Sequence, residues 1–465
     1  MISSVNEFKK VFFIGVAGTG MSALAQYLAG SGKNVSGSDR YFIKGEINET
    51  RIKLEEAGIQ CFQQDGEGIT GETDLVVVSA AIEDTVFEVH KAKKLSIPIV
   101  KRSELLAIIA KSKKTIAVGG TSGKSTTSAM LFDIFQFAGK EPSIISGAGL
   151  ISIIKEGKIG NAKVGQGEWL IIEADESDGS IVEYRAEVGL LLNVDKDHQE
   201  LDELMTIFTE FKHNTQELFI INQGNPFAKV LSNNMSQDFS VDENSPAGYM
   251  GVDFAQQEMT INFNIKKMVD KTIQPFTLNT VGRHNMENAV AAVAVANQLG
   301  IDMEVCASGL QQYEGIYRRH QLLGIRDGIH VIDDYAHNPV KCAASIAACQ
   351  AIAPKVIAWF QPHGYGPTRF LKDDFIKEIS ASLRDMDEIW MSEIFYAGGT
   401  AEKNISSEDL INGIRATGKK AYFVADRSRF LDSVRPHLLV PCVLLLMGAR
   451  DPGLEKFCRS IWENL

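Results

Sequence analysis

Paired cysteines, a basic excess and long apolar runs are all missing from this 465-residue chain, and each absence removes a class of function. The six cysteines, Cys61, Cys306, Cys342, Cys349, Cys442 and Cys458, show no C-x-x-C spacing. That spacing would mark a zinc ribbon or a dithiol redox site, so scattered, reduced thiols are expected instead. Lysine and arginine total 47 against 59 acidic residues, a net charge of -12, which argues against nonspecific nucleic-acid binding and points to small-molecule partners. No segment reaches the roughly 20 apolar residues of a membrane span. The first residues, Met1-Ile-Ser-Ser-Val-Asn-Glu, lack a charged leader before an apolar core, so no membrane insertion and a cytoplasmic location are expected. Internal repeats and low-complexity tracts are also missing. The length is too great for one hydrophobic core, and two or three domains are expected.

What the chain does have is a phosphate-binding turn. In Val118-Gly-Gly-Thr-Ser-Gly-Lys-Ser-Thr-Thr127 a buried strand, Thr115–Val118, runs into glycines and then into an amphipathic helix from Ser125 to Phe137. Gly120 and Gly123 let backbone N–H groups approach phosphates, Thr121, Ser122 and Thr126 line the turn, Lys124 supplies positive charge to the β/γ oxygens, and the Ser125 hydroxyl can ligate Mg2+. ATP and Mg2+ are therefore expected. Val118 stands where the commonest form of this loop has its outer glycine, which marks a variant class.

A second glycine turn follows the buried strand Lys10–Ile14. Gly15-Val-Ala-Gly18-Thr-Gly20, with Met21 opening a helix, is spaced G-x-x-G-x-G, a Rossmann-like start. A second strand ends at Ser38 and Asp39, about twenty positions on, where dinucleotide folds keep the acid that meets a ribose. The turn suits a diphosphate, with Ser38 or Asp39 near a ribose or base; alone, it also suits a nicotinamide oxidoreductase. Strands at Leu75–Val78 and Ile97–Val100 complete a parallel α/β unit ending near Lys111.

Chemistry gathers outside the carboxyl ends of parallel strands. The strand Trp169–Glu173 ends in a carboxylate suited to a metal, and Val188–Val194 runs into Asp195-Lys-Asp-His198, so Lys124, Glu173 and His198 are expected to converge. Magnesium uses few protein ligands, which suits so sparse a set. Asp175, Glu176 and Asp178 are each expected to be solvated. After a more polar stretch, Gln223 to Val281, Asn285 opens an alanine-rich helix, either facing a purine edge or capping the helix. A third unit begins near Tyr317-Arg318-Arg319, with strands His330–Asp333, Val356–Phe360 and Val443–Met447 leading into Asp334-Tyr-Ala-His337, His363 to Arg369 and Gly448-Ala-Arg-Asp451.

In this order, Phe13-Ile-Gly-Val-Ala-Gly-Thr-Gly-Met21, Gly120 to Thr126, Glu173-Ala-Asp-Glu-Ser-Asp178, Asp197-His198, Gly282-Arg-His-Asn285, Arg318-Arg319, Asp333 to His337 and Phe360-Gln-Pro-His363 resemble the Mur ligase family over nearly the whole chain. The resemblance implies an α/β protein of three domains: residues 1–111 Rossmann-like and UDP-sugar-binding, 112–316 a P-loop ATPase with a parallel sheet, and 317–465 a second Rossmann-like domain. It implies an ATP-dependent amide ligase that activates the carboxylate of UDP-N-acetylmuramate as an acyl phosphate and joins it to an amino acid, L-alanine in the branch most resembled. A murein-peptide ligase and a non-catalytic nucleotide sensor are the alternatives. Gly15, Gly18, Thr19, Gly20 and Met21 then bind the sugar nucleotide's diphosphate; Ser125, Glu173 and His198 hold the metal. Asn285 meets adenine and Asp334 the ribose, Arg319 meets the phosphates, and His337, His363 and Arg369 face the amine. One departure bears on the acceptor. Where that branch reads His-Arg-Tyr-Thr-Arg-Thr-Arg, this chain has His363-Gly-Tyr-Gly-Pro-Thr-Arg369, and two guanidiniums suited to a carboxylate are missing at Gly364 and Pro367.

Overall fold

The computed structural model describes residues 2–79, 82, 85–176, 179–195, 200–396, 398 and 402–465. Packing divides the chain into two compact units, one of Met1–Phe254, Asn262–Leu278 and His284–Ile316, the other of Ala255–Ile261, Asn279–Arg283 and Tyr317–Leu465. The first holds two sheets that are parallel throughout except for one edge strand of the second, Ala162–Lys163, which is antiparallel to its neighbour Ser143–Ile145. In one, β1 (Lys10–Ile14), β2 (Asn34–Asp39), β3 (Gln60–Gln63), β4 (Leu75–Val78) and β5 (Ile99–Lys101) are ordered β3-β2-β1-β4-β5. Every pair is parallel. Val11 to Ile14 of the central strand are all buried, which is why this segment reads as an unbroken apolar run.

The second sheet contains β6 (Lys114–Gly119), β7 (Ser143–Ile145), β8 (Ala162–Lys163), β9 (Trp169–Glu173), β10 (Val188–Leu191) and β11 (Leu218–Ile221), ordered β11-β10-β6-β9-β7-β8. β6 lies between β10 and β9, with Gly119 opposite Leu191 and Val118 opposite Glu173. The phosphate turn therefore leaves the sheet beside the ends of both neighbours, the crevice position of open α/β sheets. Residues beside the two sheets are joined by buried and partly buried polar contacts: Asn161 Nδ2 donates to Thr19 O at 2.8 Å and to Ser22 Oγ at 3.0 Å, and Gln26 Nε2 donates to Asn161 Oδ1 at 2.7 Å.

The polar stretch from Gln223 to Val281, for which no strand was expected, carries a third sheet of β12 (Phe239–Ser240), β13 (Tyr249–Gln257), β14 (Thr260–Lys267) and β15 (Ile273–Leu278), in that order. Along β14, Ile261, Phe263 and Ile265 are buried and alternate with more exposed residues, the period-two pattern of a half-covered strand.

In the second unit β16 (Gln321–Arg326), β17 (Ile329–Asp334), β18 (Lys355–Gln361), β19 (Glu388–Met391), β20 (Lys420–Phe423) and β21 (Cys442–Gly448) are ordered β16-β17-β21-β18-β19-β20. Only β16 is antiparallel to its neighbour. The last strand is thus inserted between β17 and β18, with Met447 opposite Asp334 and Gly448 opposite Gln361. All six cysteines are buried and unpaired.

One half-buried acid gives a test of stability. Asp133, half-buried on the helix Lys124–Phe137, has its carboxyl pushed up to about 8 by desolvation, with Glu314 adding repulsion and Lys163 opposing it. Between the ordinary value of 3.8 and about 8 the native state holds a proton that the unfolded chain has released, so raising the pH favours unfolding. Stability is expected to fall across that window and level off above it. Asp133→Asn removes this slope, so its gain in Tm over wild type, followed by thermal melts from pH 5 to 9, grows with pH; a constant difference would mean that Asp133 ionises normally.

Candidate active site

The phosphate turn is built by two left-handed glycines and one helix. Gly120 has φ 134°, Gly123 φ 87°, and Gly123 caps the helix Lys124–Phe137. At Gly123 a Cβ would lie 2.5 Å from Asn288 Oδ1, so both backbone and space require glycine. Asn193, just past β10, clasps the turn: its Oδ1 accepts from Thr121 Oγ1 at 2.8 Å and from the Ser122 N–H at 2.9 Å, and its Nδ2 donates to Ser122 O at 3.1 Å. The N–H groups opening the helix and the positive end of its dipole give the turn the chemistry of an anion cradle.

Lys124 and Ser125 are each tied to a different acid. Lys124 Nζ donates to Gly120 O at 2.7 Å and to Glu176 Oε2 at 2.6 Å. Burial pushes the Glu176 carboxyl up and Lys124 opposes the shift. Glu176 is only 7% exposed, which corrects the solvated loop expected for it. Ser125 Oγ donates to Glu173 Oε2 at 2.9 Å, while Glu173 Oε1 accepts from Ser146 Oγ and the Gly147 N–H, both at 2.6 Å. A hydroxyl and a carboxylate side by side at a phosphate cradle are hard oxygen donors, and they fit Mg2+, which completes its shell with phosphate and water. Among the described residues, no group of three or more His, Cys, Asp and Glu side chains is arranged to hold a metal ion. His198, with Asp178 and Asp197, lies outside the described residues; of the three groups expected to converge, Lys124 lies at the turn and Glu173 meets it through Ser125.

Asn285 reaches this region through its helix, Arg283–Gln298. Its Oδ1 accepts from Asn288 Nδ2 at 3.4 Å, and Asn288 Oδ1 accepts from Thr127 Oγ1 at 3.3 Å. Asn193, Asn288, Ser146 and Gly147 escaped the sequence reading because their positions follow from pairing across long chain separations.

In the first glycine turn, Gly15 has φ 82° and its N–H donates to Ser38 O at 2.8 Å. Asp39 Oδ2 accepts from the Ala17 N–H at 3.0 Å, and its Oδ1 from the Tyr41 N–H at 3.0 Å. Ser38 is fully buried, donating from Oγ to the buried Glu88 at 2.7 Å. Ser38 and Asp39, expected near a ribose or base, are thus both buried, with their side-chain oxygens hydrogen-bonded around the turn. The Met21 side chain packs in the core at 2% exposure. Gly18 and Thr19 open the helix Thr19–Gly30. A Cβ on Gly20 would lie 2.9 Å from Arg102 Cδ, which places a guanidinium stem against the glycine turn. Arg102 was not singled out in the sequence because it follows β5, some eighty residues from the turn.

In the second unit Arg318 Nε donates to both Asp333 oxygens, at 3.1 and 2.9 Å, and its Nη2 to Gly448 O at 3.0 Å. Arg318 and His320 both hold left-handed backbones, φ 55° and 45°, and between them the half-buried Arg319 lies 5.1 Å over the Tyr335 ring. Two pinned neighbours thus set the direction of Arg319. Asp334 is 5% exposed and accepts from the His320 N–H at 3.2 Å, the Tyr335 N–H at 2.9 Å and Ser345 Oγ at 2.7 Å. Burial would raise its carboxyl, but His320, Arg319 and these donors outweigh that and hold it below the ordinary range. His337 Nδ1 donates to Tyr335 O at 2.9 Å, its ring centroid is 5.8 Å from that of His363, and burial pushes it down to about 4, so it is neutral near pH 7. Arg369 Nη1 donates to Asn404 Oδ1 at 2.6 Å. Gly364 has φ 74° and ψ 125°, where an arginine would be strained whatever the space around it.

Comparison with known proteins agrees with this geometry. Three Mur ligase profiles match in succession: "Mur ligase family, catalytic domain" over residues 10–114, "Mur ligase middle domain" over 118–296 and "Mur ligase, glutamate ligase domain" over 318–450. UDP-N-acetylmuramate--L-alanine ligase of Syntrophomonas wolfei is 31% identical over 458 residues, 95% of each chain, and that of Pelotomaculum thermopropionicum is 32% identical over 479 residues, 99% of each. In fold, the chain is similar to the UDP-N-acetylmuramate-alanine ligase of Thermotoga maritima (TM-score 0.80, 24% identity, 98% of both chains) and to a murein peptide ligase of Psychrobacter arcticus (TM-score 0.67, 20% identity, 98% of both). A P-loop strand central to a parallel sheet, a Rossmann-like sheet before it and another after it, together with relatives matched over almost their full length, establish that this chain belongs to the Mur ligase family of ATP-dependent amide ligases.

Proposed function

We propose that the chain joins L-alanine to the lactyl carboxylate of UDP-N-acetylmuramate, with ATP converted to ADP and phosphate, in peptidoglycan precursor synthesis. The observation that carries the reading is the pairing of Lys124 with Glu176 and of Ser125 with Glu173 at one phosphate turn; the choice of substrates is supported by full-length likeness to alanine ligases. The sugar carboxylate attacks the γ-phosphate, ADP leaves, and the amine displaces phosphate from the acyl phosphate to give the amide. Both steps gather negative charge, which fixed cations stabilise.

Lys124 exchanges Glu176 for the β/γ oxygens, and the turn N–H groups hold the remaining phosphate oxygens. Ser125 and Glu173, with His198, hold Mg2+, which when bound neutralises phosphate charge. Arg319 adds a guanidinium for the same charge, Asn285 recognises adenine, and Gly15 to Gly20 take the sugar nucleotide's diphosphate. His337 and His363 line the approach of the amine.

Phosphate release with UDP-N-acetylmuramate, ATP and a panel of L-alanine, glycine, L-serine and the tripeptide L-alanyl-γ-D-glutamyl-meso-diaminopimelate tests the reading, with product mass to identify the amide. L-alanine is expected to give the highest kcat/KM. Preference for the tripeptide would make the chain a murein-peptide ligase, and no phosphate release with any acceptor would leave a nucleotide sensor on a ligase scaffold.

A further inference from the structure

We propose that Arg450 binds the carboxylate of the incoming amine substrate and so takes the place of the guanidiniums missing at Gly364 and Pro367; this rests on the amide-ligase reading above. β21 is inserted between β17 and β18, Met447 lies opposite Asp334, and Gly448 lies opposite Gln361. Two residues past the end of β21, Arg450 leaves the carboxyl edge between the segment carrying His337 and the segment carrying His363. These histidine rings, 5.8 Å apart, are the groups assigned to the amine's approach, so the guanidinium emerges beside the place where an amino acid's carboxylate would lie.

Its neighbours are committed elsewhere, and Arg450 is not. Arg318 is held by Asp333 and Gly448 O, Arg427 by Gln361 and Asp451, and Arg369 by Asn404. Arg450 is exposed and makes no hydrogen bond or ion pair to a described residue. Asp451, the adjacent acid, is 6% exposed and accepts from Arg427 and from the Gly453 N–H at 2.7 Å, so it leaves the charge of Arg450 uncompensated. The backbone adds a third observation. Arg450 has φ 63°, a conformation that glycine adopts without cost and that other side chains adopt under strain. A long cationic side chain at such a position, at the centre of the reactive edge, has the planar fork that grips a carboxylate through two parallel bonds.

Arg450→Gly suits the test because glycine fits φ 63°, so folding is not at risk; Arg450→Lys keeps the charge and loses the fork. Phosphate release is measured at saturating ATP and UDP-N-acetylmuramate with three acid and amide pairs: L-alanine and L-alaninamide, glycine and glycinamide, L-serine and L-serinamide. Comparing each acid/amide ratio between wild type and variant cancels the difference in amine basicity. In Arg450→Gly the KM for the preferred acid is expected to rise roughly tenfold to a hundredfold, as for loss of a charge-assisted bond. The acid/amide preference should collapse, KM for ATP should not move, and Arg450→Lys should fall between. A purely structural role moves acid and amide together. If wild type is active and Arg450→Gly keeps its acid/amide ratio, the assignment of Arg450 is wrong while the ligase reading stands; if wild type consumes none of the three amino acids, the amino-acid acceptor is wrong and the assignment of Arg450 falls with it.

Discussion

Lys124→Ala is expected to lower ligation about a thousandfold or more, in the range seen when a fixed charge at a developing anion is removed, and to leave the affinity for UDP-N-acetylmuramate unchanged. The two halves test different residues, because Lys124 belongs to the β6 turn and the glycines assigned to the diphosphate belong to the β1 turn. The variant also leaves Glu176 buried without its cation. Since burial already raises that carboxyl, losing Lys124 raises it further, and the acid takes up a proton in place of carrying a buried unpaired charge. Some stability is lost, and Lys124→Ala combined with Glu176→Gln separates the two effects: it should recover Tm without recovering turnover. Turnover is read from phosphate release and sugar-nucleotide affinity from calorimetry. Near-normal turnover in the single variant would end the assignment of Lys124 to the phosphates, and a weakened sugar nucleotide would mean that the two sites are not independent.

Much of the fold was legible because its central strands are buried on both faces. β1, β4 and β9 run over the residues expected of them, Lys10–Ile14, Leu75–Val78 and Trp169–Glu173, and such strands read as continuous apolar runs. β14 shows the opposite pattern, with every second residue buried; its polar members gave the segment a loop-like composition and hid the sheet. Strands as short as β7 and β8, three and two residues, carry no period at all. In the site, residues within the glycine turns were legible because local backbone chemistry dictates them. Glu176, Asn193 and Asn288 act across separations of 52, 71 and 161 residues, and their roles depend on which strands lie side by side. The burial of Ser38 and Asp39 was not legible for a related reason. The position after a second strand is one from which an acid can meet a ribose, but whether it faces outward depends on what it meets inside, here Glu88 and the N–H groups of Ala17 and Tyr41.

Glu173 is the residue at which removing one carboxylate should have a comparable effect without touching any positive charge. Its oxygens accept from Ser125, Ser146 and Gly147, so it both holds the loop after β7 and presents an oxygen beside the Ser125 hydroxyl. Glu173→Gln keeps an acceptor of the same shape and loses the charge; Ser125→Ala keeps the charge and loses the hydroxyl. If both groups act on one Mg2+, each is expected to cut kcat by roughly a hundredfold to a thousandfold, the scale of a missing stabiliser of transition-state charge. Each should also move the Mg2+ dependence to higher concentration. The double variant should lose less than the sum of the two free-energy losses, because groups serving one ion do not act independently. His198→Ala belongs in the same series, and a matching shift in Mg2+ dependence would place that histidine with Ser125 and Glu173. A structural role for Glu173 predicts a different outcome, in which Glu173→Gln lowers Tm through the Ser146–Gly147 loop while turnover at saturating ATP keeps its Mg2+ midpoint. Strictly additive losses with that midpoint unmoved would remove Glu173 and Ser125 from the metal and leave the pair as a brace between β6 and β9.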